Sequence, residues 1–116
     1  MTVTAEQARA LALDLADSCE VPHFDRMAFR TPRRIFATLS ADGTQLNLMF
    51  DPDLQAFYCE QAPAAFAPVP GGWGRNGATT CDLRAVDPAT FQGALIAAHA
   101  RACLPPPGRA RKPRGG

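Results

Sequence analysis

The spacing of apolar residues along the chain predicts a helix near the N-terminus. Thr4 and Gln7 form a T-x-x-Q capping box, and apolar residues then recur at helical spacing from Ala8 to Leu15. The pattern fades around residues 17–19, before Pro22, where a helix cannot continue. We therefore expect one amphipathic helix followed by a change of structure.

Three short β-favouring segments come next: HFDRMAFR at 23–30, RIFATLSA at 34–41 and TQLNLMF at 44–50. The second and third segments meet at Asp42-Gly43, which is a strong signal for a two-residue hairpin turn. This turn sets the register of the pair, because alternate side chains of a strand lie on opposite faces. One face would hold Leu39 opposite Leu46, Ala37 opposite Leu48 and Ile35 opposite Phe50. The other face would hold Phe36 opposite Met49 and Thr38 opposite Asn47.

The second half of the chain contains the same N-cap motif twice. Asp51-Pro52 and Asp87-Pro88 each place a capping Asp before a first-turn Pro, which predicts two more helices. Between these helices, a short strand at 66–69 and ATTCDLR at 78–84 flank the stretch GGWGRNGATT at 71–80. That stretch lacks GxxxxGK[ST] and does not open a helix in the GxGxxG manner, so we interpret it as a long hairpin connection with Trp73 packed over the sheet edge.

The predicted order of elements is α-β-β-β-α-β-β-α, which indicates an α+β fold in two layers. Tight hairpins imply an antiparallel sheet of five strands, with the three helices covering one face. Residues 1–104 are expected to form a single domain. Residues 105–116 are polar and rich in Pro and Gly, and we expect this tail to be disordered.

The uncovered sheet face is the main candidate surface for function. A three-residue loop after the first strand would place Met27 and Phe29 in the core. Alternation then predicts a shared open face for the following residues: Arg26, Arg30, Arg34, Phe36 and Met49. Arg side chains could grip phosphate with an aromatic ring nearby. A solvated surface or a dimer interface would use the same residues.

Charge is distributed unevenly along the chain. The net charge of +1 hides a basic tail of four cations, Arg109, Arg111, Lys112 and Arg114, whereas residues 1–103 carry eight cations and eleven anions. The tail could add non-specific phosphate affinity, but the overall charge does not indicate a strong nucleic-acid binder. Widely spaced Cys residues without a C-x-x-C pair, no signal peptide and no long apolar run favour a cytoplasmic protein with reduced thiols.

Catalytic chemistry is not indicated by the sequence. Asp51 and Asp87 are explained as helix caps and Asp42 as a turn residue, which leaves no carboxylate pair for acid–base catalysis. His23 is more typical of a residue that bonds a backbone group than of a titrating one. We therefore predict a protein without enzymatic activity, cofactor or metal.

Several motifs together resemble one family. PHFDRMAFR at 22–30, RIFATL at 34–39, PVPGGWGRNGATT at 68–80 and LRAVD at 83–87 look like the MmcQ/YjbR family of small bacterial proteins, and the resemblance runs from about residue 11 to residue 103. The resemblance implies a two-layer fold with an outline like that of secretion chaperones. It also implies DNA binding through a so-called double-wing motif.

Two functions remain open from the sequence. In the first, the protein binds DNA non-specifically and without catalysis, using Arg26, Arg30 and Arg34 on the sheet, Arg75 in the glycine-rich loop, and the tail. In the second, the open face around Phe36 and Met49 docks a protein partner or a second copy of the chain.

Overall fold

The computed structural model describes residues 2–104, which form four helices and six strands. The predicted tail and its four cations lie outside the described residues. The elements in chain order are α1 (Ala5–Leu13), β1 (Cys19–His23), β2 (Arg26–Arg30), β3 (Ile35–Leu39), β4 (Gln45–Met49), α2 (Pro52–Gln61), β5 (Phe66–Pro68), α3 (Gly72–Arg75), β6 (Ala78–Asp82) and α4 (Pro88–Ala102).

The sheet is antiparallel, with strand order β1-β2-β3-β4-β6-β5. It has six strands, so the prediction of five was wrong. The additional strand arises because HFDRMAFR is not one strand: His23 pairs with Arg26, and Phe24-Asp25 forms a two-residue turn between β1 and β2. The turn lacks the Gly or Asn that usually marks such a position, and Phe24 adopts a φ of 58°.

A β-bulge in β3 changes which residues face the core. Phe29 pairs with Ala37 but Arg30 pairs with Ile35, so Phe36 is the extra residue. Because of the bulge, Phe36 lies on the same face of the sheet as Ala37, the face that the helices cover, and it is 0% exposed. The prediction that Phe36 lies on the open face was therefore wrong. Ile35, which we expected in the core, takes a place on the open side.

The core forms between the other face of the sheet and three helices. Ala8 and Ala12 of α1 and Phe91 and Leu95 of α4 are buried in one cluster with sheet residues, and Tyr58 of α2 packs against it. The α+β fold is confirmed, with α1, α2 and α4 packed on one face of the sheet. Within residues 2–104, no helix has the length and apolar character needed to cross a membrane.

Local sequence rules account for most element boundaries. Thr4 and Gln7 form the predicted capping box, and the Asp51 and Asp87 carboxylates accept hydrogen bonds from the N–H groups of Leu54 and Thr90. At the β3–β4 turn, hydrogen bonds from Ser40 and Thr44 lower the pKa of Asp42 to about 2. The Leu39–Leu46, Ala37–Leu48 and Thr38–Asn47 pairs follow the predicted register.

The bulge predicts that substitutions of Phe36 and Phe24 have different effects on the free energy of unfolding. Phe36→Ala should lower the free energy of unfolding by about 3–5 kcal/mol, because it opens a cavity in the core. Phe24→Ala should change it by about 0.5 kcal/mol or less, because this ring is 95% exposed. Urea denaturation followed by far-UV circular dichroism measures both. Equal losses for the two variants would contradict the inward orientation of Phe36.

Candidate nucleic-acid interface

A groove with a volume of about 620 Å³ crosses the open face of the sheet. Its floor contains Thr38, Asn47 and Met49 from the two central strands. The β1–β2 turn lies at one end, and α3 at the other. The two ends of the groove are far apart. Arg26 begins β2 at one end of the sheet's strands, and Ala78 begins β6 at the other end. The groove thus runs diagonally, from β2 across β3 and β4 to β6.

Arg26 lies in the groove with its guanidinium fixed. Its Nε donates to Thr38 Oγ1 and its Nη2 donates to Thr38 O, each at 2.9 Å. Both acceptors are neutral, so these bonds orient the side chain without cancelling its charge. Arg26 is therefore a positioned cation on the groove wall.

Arg34 reaches the groove from a loop that is held by a buried threonine. Thr31 Oγ1 accepts hydrogen bonds from the N–H groups of Arg33 and Arg34, and it contacts the carbonyl oxygens of Arg34 and Ala102. The last of these contacts joins the loop to the end of α4. The backbone of Arg34 is fixed by this arrangement, and its side chain lines the groove.

Arg101 is a groove residue that the sequence analysis missed. It projects from the last turn of α4, and its Nη1 donates to Met49 O at 3.1 Å. The Asp51 carboxylate lies 3.9 Å from its Nε, which is a long ion pair. Nothing in the local sequence around Arg101 signals this position, because it results from the packing of α4 against β3 and β4.

The glycine-rich stretch connects β5 to β6, which pair antiparallel, so it is the long hairpin connection that we predicted. It also contains a short helix, α3, which we did not predict. Gly74 has no room for a side chain, since a Cβ would lie 1.7 Å from Val69 O. Gly77 has a φ of 117°, and a Cβ there would lie 2.2 Å from Phe50 O. Gln55 Nε2 of α2 also donates to the carbonyl oxygens of Gly74 and Ala78. The glycines therefore allow α3 to sit tightly between neighbouring backbone segments.

This placement turns Trp73 toward the groove. Its ring lines the groove but is 67% exposed, so the expectation that it packs over the sheet edge was wrong. At the opposite end, the exposed Phe24 ring also lines the groove, and His23 contacts it edge-on at a centroid distance of 4.8 Å. The groove thus has an aromatic ring at each end, and neither was predicted as a site residue.

The predicted cations are only partly brought together. Arg26 and Arg34 share the groove, whereas Arg30 lies on the same sheet face outside its lining and donates from Nε to Thr31 O. Arg75 is exposed on α3, also outside the lining. Met49 is half-buried in the floor.

Other reactive side chains do not form a second site within residues 2–104. This part of the chain contains no group of three or more potential metal ligands. Its four cysteines are free, and burial raises the pKa of Cys81 to about 12, which keeps this thiol protonated.

The comparisons with known proteins identify the fold. No protein-family model matches the chain, and no curated protein matches it. Among solved structures, it is similar to the crystal structure of Deinococcus radiodurans protein DR2400, a DUF419 domain. The TM-score is 0.68 at 20% identity, over 84% of this chain and 76% of that chain. DUF419 is related to the MmcQ/YjbR proteins. At this identity, the similarity shows a shared α+β fold.

The close packing of α3 against neighbouring backbone can be tested with two glycine substitutions. Gly74→Ala should destabilise the domain by about 1–3 kcal/mol, because the added methyl group forces the backbone away from Val69. Gly93→Ala should instead stabilise it by about 0.5–1 kcal/mol, since Gly93 is in α4 with only an ordinary contact to Tyr58. Urea denaturation gives both values, and Trp73 emission reports any shift of α3. A Gly74→Ala variant as stable as the wild type would contradict the close approach.

Proposed function

We propose that this domain binds nucleic acid without catalysis, and that the groove on the open sheet face contacts the phosphates. The observation that carries the proposal is the convergence of Arg26, Arg34 and Arg101 on one concave surface. Among the described residues, the lining of this groove includes a single carboxylate, that of Asp25.

The three arginines differ in whether a carboxylate forms an ion pair with the guanidinium. The ion pairs within residues 2–104 involve Arg9, Arg84 and Arg101, and not Arg26 or Arg34. A guanidinium that is not paired with a carboxylate can donate two hydrogen bonds to one phosphate. A concave surface also focuses the positive potential more strongly than a flat one. Arg26 and Arg34 are therefore the primary phosphate contacts in this proposal.

The MmcQ/YjbR resemblance supports the same function, since that family is described as DNA-binding. The net charge of −3 for residues 1–103 gives no attraction at long range. Binding therefore depends on the local arrangement of the groove and on the basic tail, and it should weaken steeply with salt. About four phosphate contacts correspond to a logarithmic salt slope of about −3.6 on duplex DNA.

Two adjacent arginines provide the test. Arg34→Ala should weaken binding by about tenfold, because it removes a charged hydrogen bond to phosphate. It should also reduce the magnitude of the salt slope by about 0.7–0.9. Arg33→Ala is the matched control: it makes the same change in charge at an exposed residue of the same loop, outside the groove. Its effect should be about twofold or less.

The measurement is fluorescence anisotropy of a labelled oligonucleotide, titrated over a range of NaCl concentrations. Equal effects of Arg33→Ala and Arg34→Ala would show that the groove is not the binding site. No binding of DNA or RNA by the wild type at low salt would exclude the function.

A second candidate function is protein interaction through the same face. The exposed rings of Phe24 and Trp73 favour it, because large apolar side chains at a surface are common in interfaces. Phe36 cannot contribute, since it is buried.

Self-association through this face has a measurable signature. If the face dimerises, light scattering after size exclusion should give twice the monomer mass of 12.4 kDa, and Phe24→Asp should restore the monomer. A monomeric wild type at high protein concentration would exclude self-association. Nucleic-acid binding requires only the monomer.

A further inference from the structure

The two aromatic rings at the ends of the groove are the least expected feature of its surface. Phe24 is 95% exposed and Trp73 is 67% exposed. The other large apolar side chains exposed within residues 2–104 are Phe57, Ile96 and Leu104, and none of them lines the groove. Aromatic side chains normally gain stability by burial. Two exposed rings in one groove therefore point to a ligand that covers them.

The backbone holds Phe24 in this exposed position. Its φ of 58° is in the left-handed region, which a bulky side chain rarely adopts. A turn of this kind usually has Gly or Asn where Phe24 stands. The ring of the adjacent His23 contacts the Phe24 ring edge-on. The backbone that carries Trp73 is also held in place, because the glycines of α3 pack against neighbouring backbone and Gln55 donates to Gly74 O.

The floor between the rings is suited to the edges of bases. Asn47 Oδ1 accepts a hydrogen bond of 2.9 Å from Thr80 Oγ1, which fixes the orientation of the carboxamide. Asn76 adds a second carboxamide at the α3 end. Carboxamides offer both donors and acceptors, as base edges do.

The rings distinguish an unpaired strand from a duplex. In a duplex the faces of the bases are stacked on one another, so an external ring has no face to contact. In a single strand the bases can turn out and stack on aromatic side chains. The lateral separation of β2 and β6 is three strand spacings, roughly 14 Å, so one nucleotide cannot contact both rings.

We infer that the groove binds single-stranded nucleic acid, with bases stacked on Phe24 and Trp73 and phosphates at Arg26, Arg34 and Arg101. This inference rests on the proposed function, because it assigns the substrate class of the same site. A strand of several nucleotides spans the groove and contacts both rings, whereas a free nucleotide contacts one.

Trp73 is the only tryptophan of the chain, so its fluorescence reports the site directly. The probe is an oligothymidylate of about 12 nucleotides, within the range of site sizes of about 4–16 nucleotides for single-strand-binding domains. Titration of the full chain at low salt should quench Trp73 emission to saturation. A mixed-sequence duplex of the same length should bind at least about tenfold more weakly, and thymidine monophosphate more weakly still.

Two phenylalanines provide the matched variants. Phe24→Ala should weaken binding of the oligothymidylate by about fivefold to a hundredfold, since stacking contributes that much for each base. Phe57→Ala should leave it unchanged, because this ring is also exposed but lies on α2 outside the groove. Anisotropy of a labelled strand tests Trp73 itself: Trp73→Phe should retain most of the affinity and Trp73→Leu should lose it.

The outcomes separate the two proposals. Duplex bound as tightly as the single strand, or unchanged affinity in Phe24→Ala, overturns the inference but leaves nucleic-acid binding in place. Thymidine monophosphate bound as tightly as the oligothymidylate overturns the inference in favour of a nucleotide site. No binding of either nucleic acid at low salt overturns both proposals.

Discussion

One inserted residue in β3 determines how the two faces of the sheet are used. Because Phe36 is a bulge residue, it packs inward against His99 of α4, with ring centroids 5.2 Å apart. His99 in turn contacts Ala16 O through Nε2 at 2.8 Å, which joins α4 to the turn that follows α1. Fixing α4 in this way brings Arg101 to the edge of the sheet, where it bonds to Met49 O. The same bulge returns Ile35 to the open face, so the packing of the core and the shape of the groove have a common origin.

Local rules predicted the parts of the fold in which a few neighbouring residues decide the structure. The capping box, the two Asp-Pro helix starts and the Asp42-Gly43 turn belong to this class. The rules failed where the backbone adopts a conformation that its residue types disfavour. Phe24 occupies a left-handed turn position, so the β1–β2 turn carried no recognisable signal. The bulge also left no mark in the alternation of residues, because Phe36 and Ala37 are both apolar.

The candidate site was predictable to the extent that it lies on β2 and the loop after it. Arg26 and Arg34 were placed on the open face from alternation and lie in the groove. Arg101 and Trp73 were not anticipated, since their positions depend on contacts between elements distant in sequence. Phe24 was not anticipated because its turn carries no recognisable sequence signal. The close approach of Gly74 to Val69 O, which orients Trp73, requires knowledge of both backbones. The glycines of GGWGRNGATT indicated that the backbone of this stretch is conformationally free. They did not indicate that backbone atoms of other segments fill the space beside Gly74 and Gly77.

The fixed positions of groove residues bear on the proposed binding of a polyanion by a domain with a net negative charge. Arg26 is oriented by two bonds to Thr38, and the loop of Arg34 is fixed by Thr31. Side chains that are ordered before binding lose less conformational entropy when a ligand arrives. In the proposed function, this preorganisation offsets the absence of long-range attraction, since residues 1–103 carry a net charge of −3. Under the same proposal, the basic tail would increase the rate of encounter, and the positions of the groove cations and rings would determine which nucleic acid remains bound.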